Sequence, residues 1–323
     1  MRAEHVWTDA TVRATSALAR DVLALEIAPL DGARLWSPGA HIDVSILVGA
    51  RAEVRSYSLV GEWNPARYRI AVKRQPQGRG GSAYMWSLEP GARLTVGAPN
   101  NRFELAHDSP DYLLVAGGIG ITPILGMASS LAASGANFRV LYGVRSRADL
   151  ALADEIGAAV GDRLEIFVSG EGRRIEASAE IARLGAGGEL YLCGPLGMIE
   201  DFRRAWGASG RPPSAFRVET FGSSGAFAPE PFRVRVRGRE IEVAVPRDRS
   251  MLDALEAAGV EIVADCRRGE CGVCAVDIID VEGRIDHRDV FLSDHQRRDG
   301  RKMCPCVSRA SGQIAIDVGR RED

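Results

Sequence analysis

The sequence predicts a multidomain chain: an antiparallel β-barrel, then an α/β body with a parallel sheet, then a small α+β body rich in cysteine. Three observations predict it. At 323 residues the chain exceeds one ordinary core. Its apolar pattern changes from short alternating runs to buried runs interleaved with helical segments at about His107. Five of its six cysteines lie beyond residue 265. The bodies are assigned to residues 1–106, 107–225 and 232–323, and Gly222 to Pro231 (GSSGAFAPEP) reads as a linker.

Composition narrows the function. Net charge is −2, so no global field favours nucleic acid or an anionic membrane. The opening MRAEHVWTDATVRA lacks an apolar signal core, and the cysteine usage suits a reducing cytoplasm better than a disulfide framework. Tyr112 through Phe138 is uncharged and long enough to cross a bilayer. A glycine cluster and Thr-Pro in its middle instead predict a buried strand, a turn and a packed helix.

In the first body the runs TVRATSALARDVLALEIAPL, HIDVSILV, RSYSLV, YRIAVKRQ and RLTVGAP read as strands separated by Pro-Gly, Gly-Ala and Asp-Gly turns. Strand alternation puts Arg55 and Tyr57 on one face, Ser56 and Ser58 on the other. A guanidinium beside a phenol ring can hold a phosphate and cover an aromatic ring system. Gly78-Arg-Gly80-Gly81-Ser82 leads into the helix-like AYMWSLE, with Ser82 at or near the cap, which is a phosphate cradle. Surface decoration and a hairpin tip are the competing readings.

In the second body YLLVA reads as a strand, Gly117-Gly118-Ile-Gly120-Ile-Thr122-Pro123 as the turn and ILGMASSLAAS as the helix. FRVLYGVR, LEIFVSG and GELYLCG read as further strands, with ALADEIGAAVG and IEASAEIARLG as helices between them. A glycine turn at a helix N-terminus suits a pyrophosphate, because the amides and the dipole both favour negative charge. A ribose diol wants an acidic partner and a 2′-phosphate a basic pair. Glu171, with Arg145, Arg147, Arg173 and Arg174 nearby, tilts the reading towards NADH with NADPH possible.

The third body opens with a hairpin, FRVRVRGREIEVAVP, followed by the helix SMLDALEAAGV and the cysteine loop. Cys266-x4-Cys271-x2-Cys274, with a distant return, is the spacing of plant-type [2Fe–2S] ferredoxins. A two-iron cluster needs two thiolates per iron, so a tight loop supplies three and a separate segment the last. Gly269 and Gly272 let that loop bend. Zinc sites usually repeat C-x2-C twice, and only one copy is present. Cys304 and Cys306 lie two apart, and spacing alone leaves the fourth ligand open between them.

Taken together these motifs resemble the phthalate dioxygenase reductase family, which includes vanillate demethylase reductases. The resemblance covers nearly the whole chain through RSYS, GRGGS, GGIGITP, YLCGP, the cysteine loop and CVSRA. It implies a flavin barrel in which Arg55 and Ser82 touch the phosphate, Tyr57 stacks on the isoalloxazine and Ser58 faces its reactive edge. It implies that Thr122 and Pro123 sit near the nicotinamide and dinucleotide bridge, with Cys193 and Gly194 at the hydride-transfer position. Phe221 is expected against the flavin. The CVSRA run implies Cys306 as the last ligand, with Cys304 a nearby buried thiol. Asp286-His-Arg-Asp289 also recurs in the family and reads as a structural turn. The implied function is electron transfer from NADH through FMN and a [2Fe–2S] cluster to a Rieske-type oxygenase. A cytochrome P450, free flavin or ferric chelates are alternative acceptors, and a zinc-binding redox sensor is the reading from another class.

Overall fold

The computed structural model describes residues 6–49, 51–76, 78–221, 225, 227–239 and 241–319. Two compact units divide the chain, Met1–Glu219 and Thr220–Asp323.

The first unit begins with strands β1 (Trp7–Ala19), β2 (Val22–Pro29), β3 (His41–Val48), β4 (Arg51–Ser58), β5 (Tyr68–Lys73) and β6 (Arg93–Gly97). They form one antiparallel sheet in the order β4-β3-β6-β1-β2-β5. Its edges meet at the Leu59–Ile70 bridge, where Val60 N donates to Arg69 O at 2.9 Å. That contact curls the sheet towards the expected barrel, helped by two register shifts in β1 that sharpen its bend. Val12, Leu25, Ile27, Ile42, Val44, Ile46, Ile70 and Val96 fill the interior. A short helix, α1 (Gly81–Trp86), adds Met85 to that core.

A parallel sheet follows, built from β7 (Tyr112–Gly117), β8 (Phe138–Val144), β9 (Leu164–Val168), β10 (Glu189–Cys193) and β11 (Phe216–Glu219) in the order β11-β10-β7-β8-β9. Every residue of β7 is buried, as a central parallel strand covered on both faces must be. Helices α2 (Ile121–Ala133), α3 (Ala153–Val160), α4 (Ala177–Ala182) and α5 (Leu196–Ala208) connect the strands. Two features depart from the sequence reading. Helix α2 starts at Ile121 and takes Thr122 and Pro123 into its first turn, where a proline displaces no intrahelical hydrogen bond. Helix α5 is additional: Leu196, Ile199, Phe202 and Trp206 form its buried stripe between exposed charges. The uncharged stretch from Tyr112 is thus strand, turn and packed helix, and no helix among the described residues is long and apolar enough to cross a membrane.

Barrel and parallel sheet are stitched together within this unit. Arg69 makes a bidentate pair with Glu155 at 2.6 and 2.7 Å, and Arg20 reaches Asp149 at 2.6 Å. Gly126 of α2 packs so closely that a Cβ there would lie 3.0 Å from Gly61 O.

The second unit carries β12 (Phe232–Val236), β13 (Ile241–Val245), β14 (Val276–Glu282), β15 (Ile285–Asp286), β16 (Lys302–Met303), β17 (Arg309–Ala310) and β18 (Gly312–Asp317). The main sheet runs β13-β12-β18-β14-β16, with β12 and β18 parallel, and β15 pairs with β17. Helix α6 (Met251–Ala257) starts at a Ser250 cap that accepts from Asp253 N at 3.0 Å and buries Met251, Ala254 and Leu255 against the sheet. Helix α7 (Asp294–Asp299) has a Ser293/Gln296 capping box and stops at Gly300, left-handed at φ 65°.

The segment read as a linker is partly fixed. Arg288 Nη2 donates to Phe227 O at 2.9 Å, Arg309 Nη2 donates to Glu230 O at 3.0 Å, and the Arg284 guanidinium lies 4.1 Å from the Phe227 ring centre. Residues 222–224 and 226 of that segment fall outside the described residues. The Asp286-His-Arg-Asp289 run therefore does more than turn the chain, because Arg288, itself bidentate on Asp286, grips this strap.

Candidate functional site

The barrel motifs meet. Arg55 on β4 lies against the turn into α1, where a Cβ on Gly81 would sit 2.8 Å from Arg55 Nε. Arg55 Nη2 is held by Glu53 at 2.5 Å and donates to Arg79 O at 3.4 Å. Gly80, not Ser82, is the cap of α1, with φ 80°. A Cβ at Gly80 would come 2.8 Å from Val48 Cγ1, so both backbone angle and space call for glycine. Ser82 occupies the second helical position, and its Oγ accepts from Gln75 N at 3.0 Å, which leaves its O–H able to donate.

Tyr57 packs on the barrel core, and burial pushes its phenol pKa up against the opposing pull of Arg55. Ser58 pairs in register with His41 and is 5 % exposed, and its Oγ has no hydrogen-bond partner among the described residues. An orphaned buried hydroxyl beside a half-buried aromatic fits a polar ring edge of a bound cofactor.

At the carboxyl ends of the central strands, two glycine motifs interlock. Cys193 lies beside Ala116 in the β7–β10 register. A Cβ on Gly117 would lie 2.4 Å from Pro195 Cδ, and one on Gly120 would lie 2.0 Å from Cys193 O. A Cβ on Gly194 would likewise lie 3.2 Å from Gly117 Cα. Gly118 is left-handed at φ 54°. The GGIG turn and the CGP turn are one construction, a place where open parallel sheets bind dinucleotides. Thr122 is buried and donates to Ile119 O at 2.9 Å, so its hydroxyl closes the turn, and Pro123 is buried in the first helical turn behind it.

Cys193 is fully buried, and its thiol donates to Glu219 Oε2 at 4.0 Å. Glu219 is 1 % exposed and pairs in register with Cys193. The sequence reading missed this carboxylate, because a single Glu between Val218 and Thr220 looks like the outward position of an edge strand. Phe221 follows β11 and is half-buried. Glu171 is bidentate to Arg147 at 2.7 and 2.8 Å, just past β9.

In the second unit the loop from Cys266 to Cys271 closes around one sulfur. The amides of Arg268, Glu270 and Cys271 all donate to Cys266 Sγ at 3.4 Å. That nest is enabled by left-handed backbone at Arg267, Gly269 and Gly272. Gly269 is pressed against Asp289, 2.9 Å from its Cα to the position of a Cβ, and Gly272 against the Phe291 ring. Asp289 itself is fully buried, accepting from Leu292 N at 2.8 Å and Ser308 Oγ at 2.9 Å. This anchoring carboxylate was read only as part of a turn.

The return segment is a turn rather than a strand: Cys304 O accepts from Val307 N at 3.2 Å and Ser308 N at 2.9 Å. Both of its thiols nevertheless reach Cys274. Hydrogen bonds from Cys304 first, and then Cys306, hold the Cys274 thiol down to about 3, while the Cys304 and Cys306 thiols are pushed up by giving those bonds and by burial. No group of three or more His, Cys, Asp or Glu among the described residues is gathered for a single metal ion. The thiols fall instead into two sets, Cys266 with Cys271 and Cys274 with Cys304 and Cys306. A two-iron cluster requires two thiolates per iron, so these residues fit it with one thiol of the second set to spare.

Residues 234–311 match the 2Fe-2S iron-sulfur cluster binding domain, and residues 114–166 match the oxidoreductase NAD-binding domain. Phenoxybenzoate dioxygenase subunit beta of Ectopseudomonas oleovorans is 38% identical over 93% of this chain and 94% of that protein. Vanillate O-demethylase oxidoreductase of Pseudomonas putida is 34% identical over 95% of this chain and 98% of its own. The structure of phthalate dioxygenase reductase superposes with a TM-score of 0.76 at 30% identity, covering 96% of this chain and 98% of that one. The chain belongs to the phthalate dioxygenase reductase-like family.

This family member is therefore an NAD(P)H-dependent flavin and iron–sulfur oxidoreductase, the reductase component of an oxygenase system. Its three sheets are the flavin-binding antiparallel sheet, the parallel NAD-binding sheet and the mixed ferredoxin sheet. The reductase also resembles full-length CYP116B46 from Tepidiphilus thermophilus, with a TM-score of 0.66 at 36% identity over 96% of this chain, and spans 42% of that longer polypeptide.

Proposed function

We propose that this reductase takes electrons from NADH through FMN to a cluster held by Cys266, Cys271, Cys274 and Cys306, and delivers them to a Rieske-type oxygenase in the cytoplasm. The observation that carries it is the gathering of five thiols in one unit and the interlocked glycine turns in the other. When bound, the flavin accepts two electrons as one hydride and the cluster passes single electrons at roughly −400 mV.

The chain's own residues position these groups. Arg55, Gly80, Gly81 and Ser82 gather charge, open backbone and a donor for a terminal phosphate, which favours FMN over a dinucleotide flavin. Tyr57 supplies aromatic surface, and Ser58 a hydroxyl, for the ring system. Gly118 leaves the turn open to the pyrophosphate and Gly120 lets it close on Cys193, with Thr122 and Pro123 shaping the nicotinamide end and Cys193 and Gly194 flooring it. The engagement of Arg147 by Glu171 leaves that guanidinium committed, which supports NADH over NADPH. Cys306 is favoured as fourth ligand because it opens the CVSRA run and the Gly269 amide bonds its sulfur. Domain limits of 1–106, 107–225 and 232–323 complete the reading.

The test is Cys271→Ala in the full chain. Cytochrome c reduction and cluster iron should both be lost, and undiminished reduction would exclude the route. Release of FAD rather than FMN on denaturation would overturn the flavin reading. The likeness to CYP116B46 favours a second acceptor, a cytochrome P450, and turnover with purified oxygenase against purified P450 separates the two.

A further inference from the structure

We propose that Cys304 is a reserve ligand of the cluster, able to take the place of Cys306 beside Cys274. The proposal rests on the reading of Cys306 as the fourth ligand. Cys304, Pro305 and Cys306 form a tight turn, closed on Cys304 O by the amides of Val307 and Ser308 at 3.2 and 2.9 Å. From this turn both thiols hydrogen-bond the same Cys274 sulfur. Both are buried, at 0 % and 2 % exposed, in one apolar pocket with Leu252 and Val307. Two residues of chain span at most about 7 Å, so a rotation of the turn suffices to exchange one sulfur for the other.

On the reading above Cys306 is the resting ligand, and Cys304, buried in the same cluster with Cys274, is the substitute. The exchange replaces one iron–sulfur bond by another: the incoming Cys304 thiol releases its proton and the departing Cys306 sulfur takes one up. No electron is transferred.

The experiment compares full-length Cys304→Ala, Cys306→Ala and the double variant after anaerobic reconstitution with iron and sulfide. Iron and labile sulfide analysis and the EPR signal of the reduced protein are the readouts. Cys304→Ala should match the wild type. Cys306→Ala should keep two irons per chain, with g values displaced from wild type, and the double variant should hold none. A Cys306→Ala protein as empty as the double variant would overturn the reserve role. An empty Cys304→Ala beside a wild-type signal in Cys306→Ala would overturn the fourth-ligand reading, and the reserve role with it. Cys306→Val, which refills the buried space and cannot bind iron, repeats the comparison with and without Cys304→Ala, and far-UV circular dichroism reports folding of each protein.

Discussion

Gly120→Ala isolates the packing that joins the two glycine motifs of the proposed nicotinamide site. The backbone of Gly120 is right-handed helical, at φ −61° and ψ −7°, so alanine meets no torsional strain there. Its Cβ would, however, lie 2.0 Å from Cys193 O and 2.5 Å from the carbonyl carbon. Non-bonded carbons settle at about 3.5 Å or more, so the end of β10 or the start of α2 must give way by roughly 1 Å. Neither partner is a flexible side chain. Overpacking of this kind costs about 3 kcal/mol, the upper part of the usual range. In a body of this size that lowers the melting temperature by about 6–12 °C. The KM for NADH should rise in parallel, because the same shift moves Cys193 and Gly194. Gly157→Ala is the control. Its Cβ meets only Leu164 Cδ2, at 3.9 Å, inside α3. Helix propensity then adds about 0.8–1 kcal/mol, and the melting temperature rises by about 2–4 °C. Scanning calorimetry and steady-state NADH–ferricyanide kinetics supply both measurements. A Gly120→Ala protein that melts within about a degree of wild type with an unchanged KM would refute the close packing of these turns.

Removing Asp289 strands Ser308 Oγ, Leu292 N and the nearby Arg297, so Asp289→Ala should destabilise the ferredoxin unit by about 3–5 kcal/mol, read as an earlier urea midpoint for loss of visible cluster absorbance. The hydrogen bond from Arg69 holds the Glu155 carboxyl below its usual range. Its stabilisation is thus present above about pH 4.3 and is lost as pH falls through the lower folded value. Because both side chains are partly exposed, the loss is only about 0.5 kcal/mol, and Glu155→Gln should flatten that limb of a stability–pH curve. Glu171→Ala releases Arg147 for a 2′-phosphate, so the ratio of kcat/KM for NADPH over NADH should rise, and an unchanged ratio would remove this pair from coenzyme choice.

Local chemistry was legible from the chain alone. Cys266, Cys271 and Cys274 lie within one loop, so their spacing already limits the sulfur positions they can share, and the cluster followed. The glycines of GRGGS and GGIGITP announced tight turns, and Gly80 and Gly118 are left-handed there, because glycine permits backbone that other residues avoid. The change from period-two runs to buried runs likewise announced the switch from barrel to parallel sheet. Helix α5 was as periodic as the others and was passed over because charged residues interrupt its apolar stripe.

Strand order and register decided the rest, since no spacing encodes which distant strand lies alongside. Only the β7–β10 pairing sets Gly117 and Gly120 against Cys193 and Pro195, and only the β10–β11 pairing buries Glu219 beside the Cys193 thiol. Folding of the last unit turned a presumed linker into a strap held by Arg288 and Arg309, and brought Cys304 as well as Cys306 to one sulfur. The sequence by itself thus determined which glycine and cysteine motifs are the candidates for phosphate and iron. The tertiary structure decided which of them meet, because those contacts are made between segments far apart along the chain.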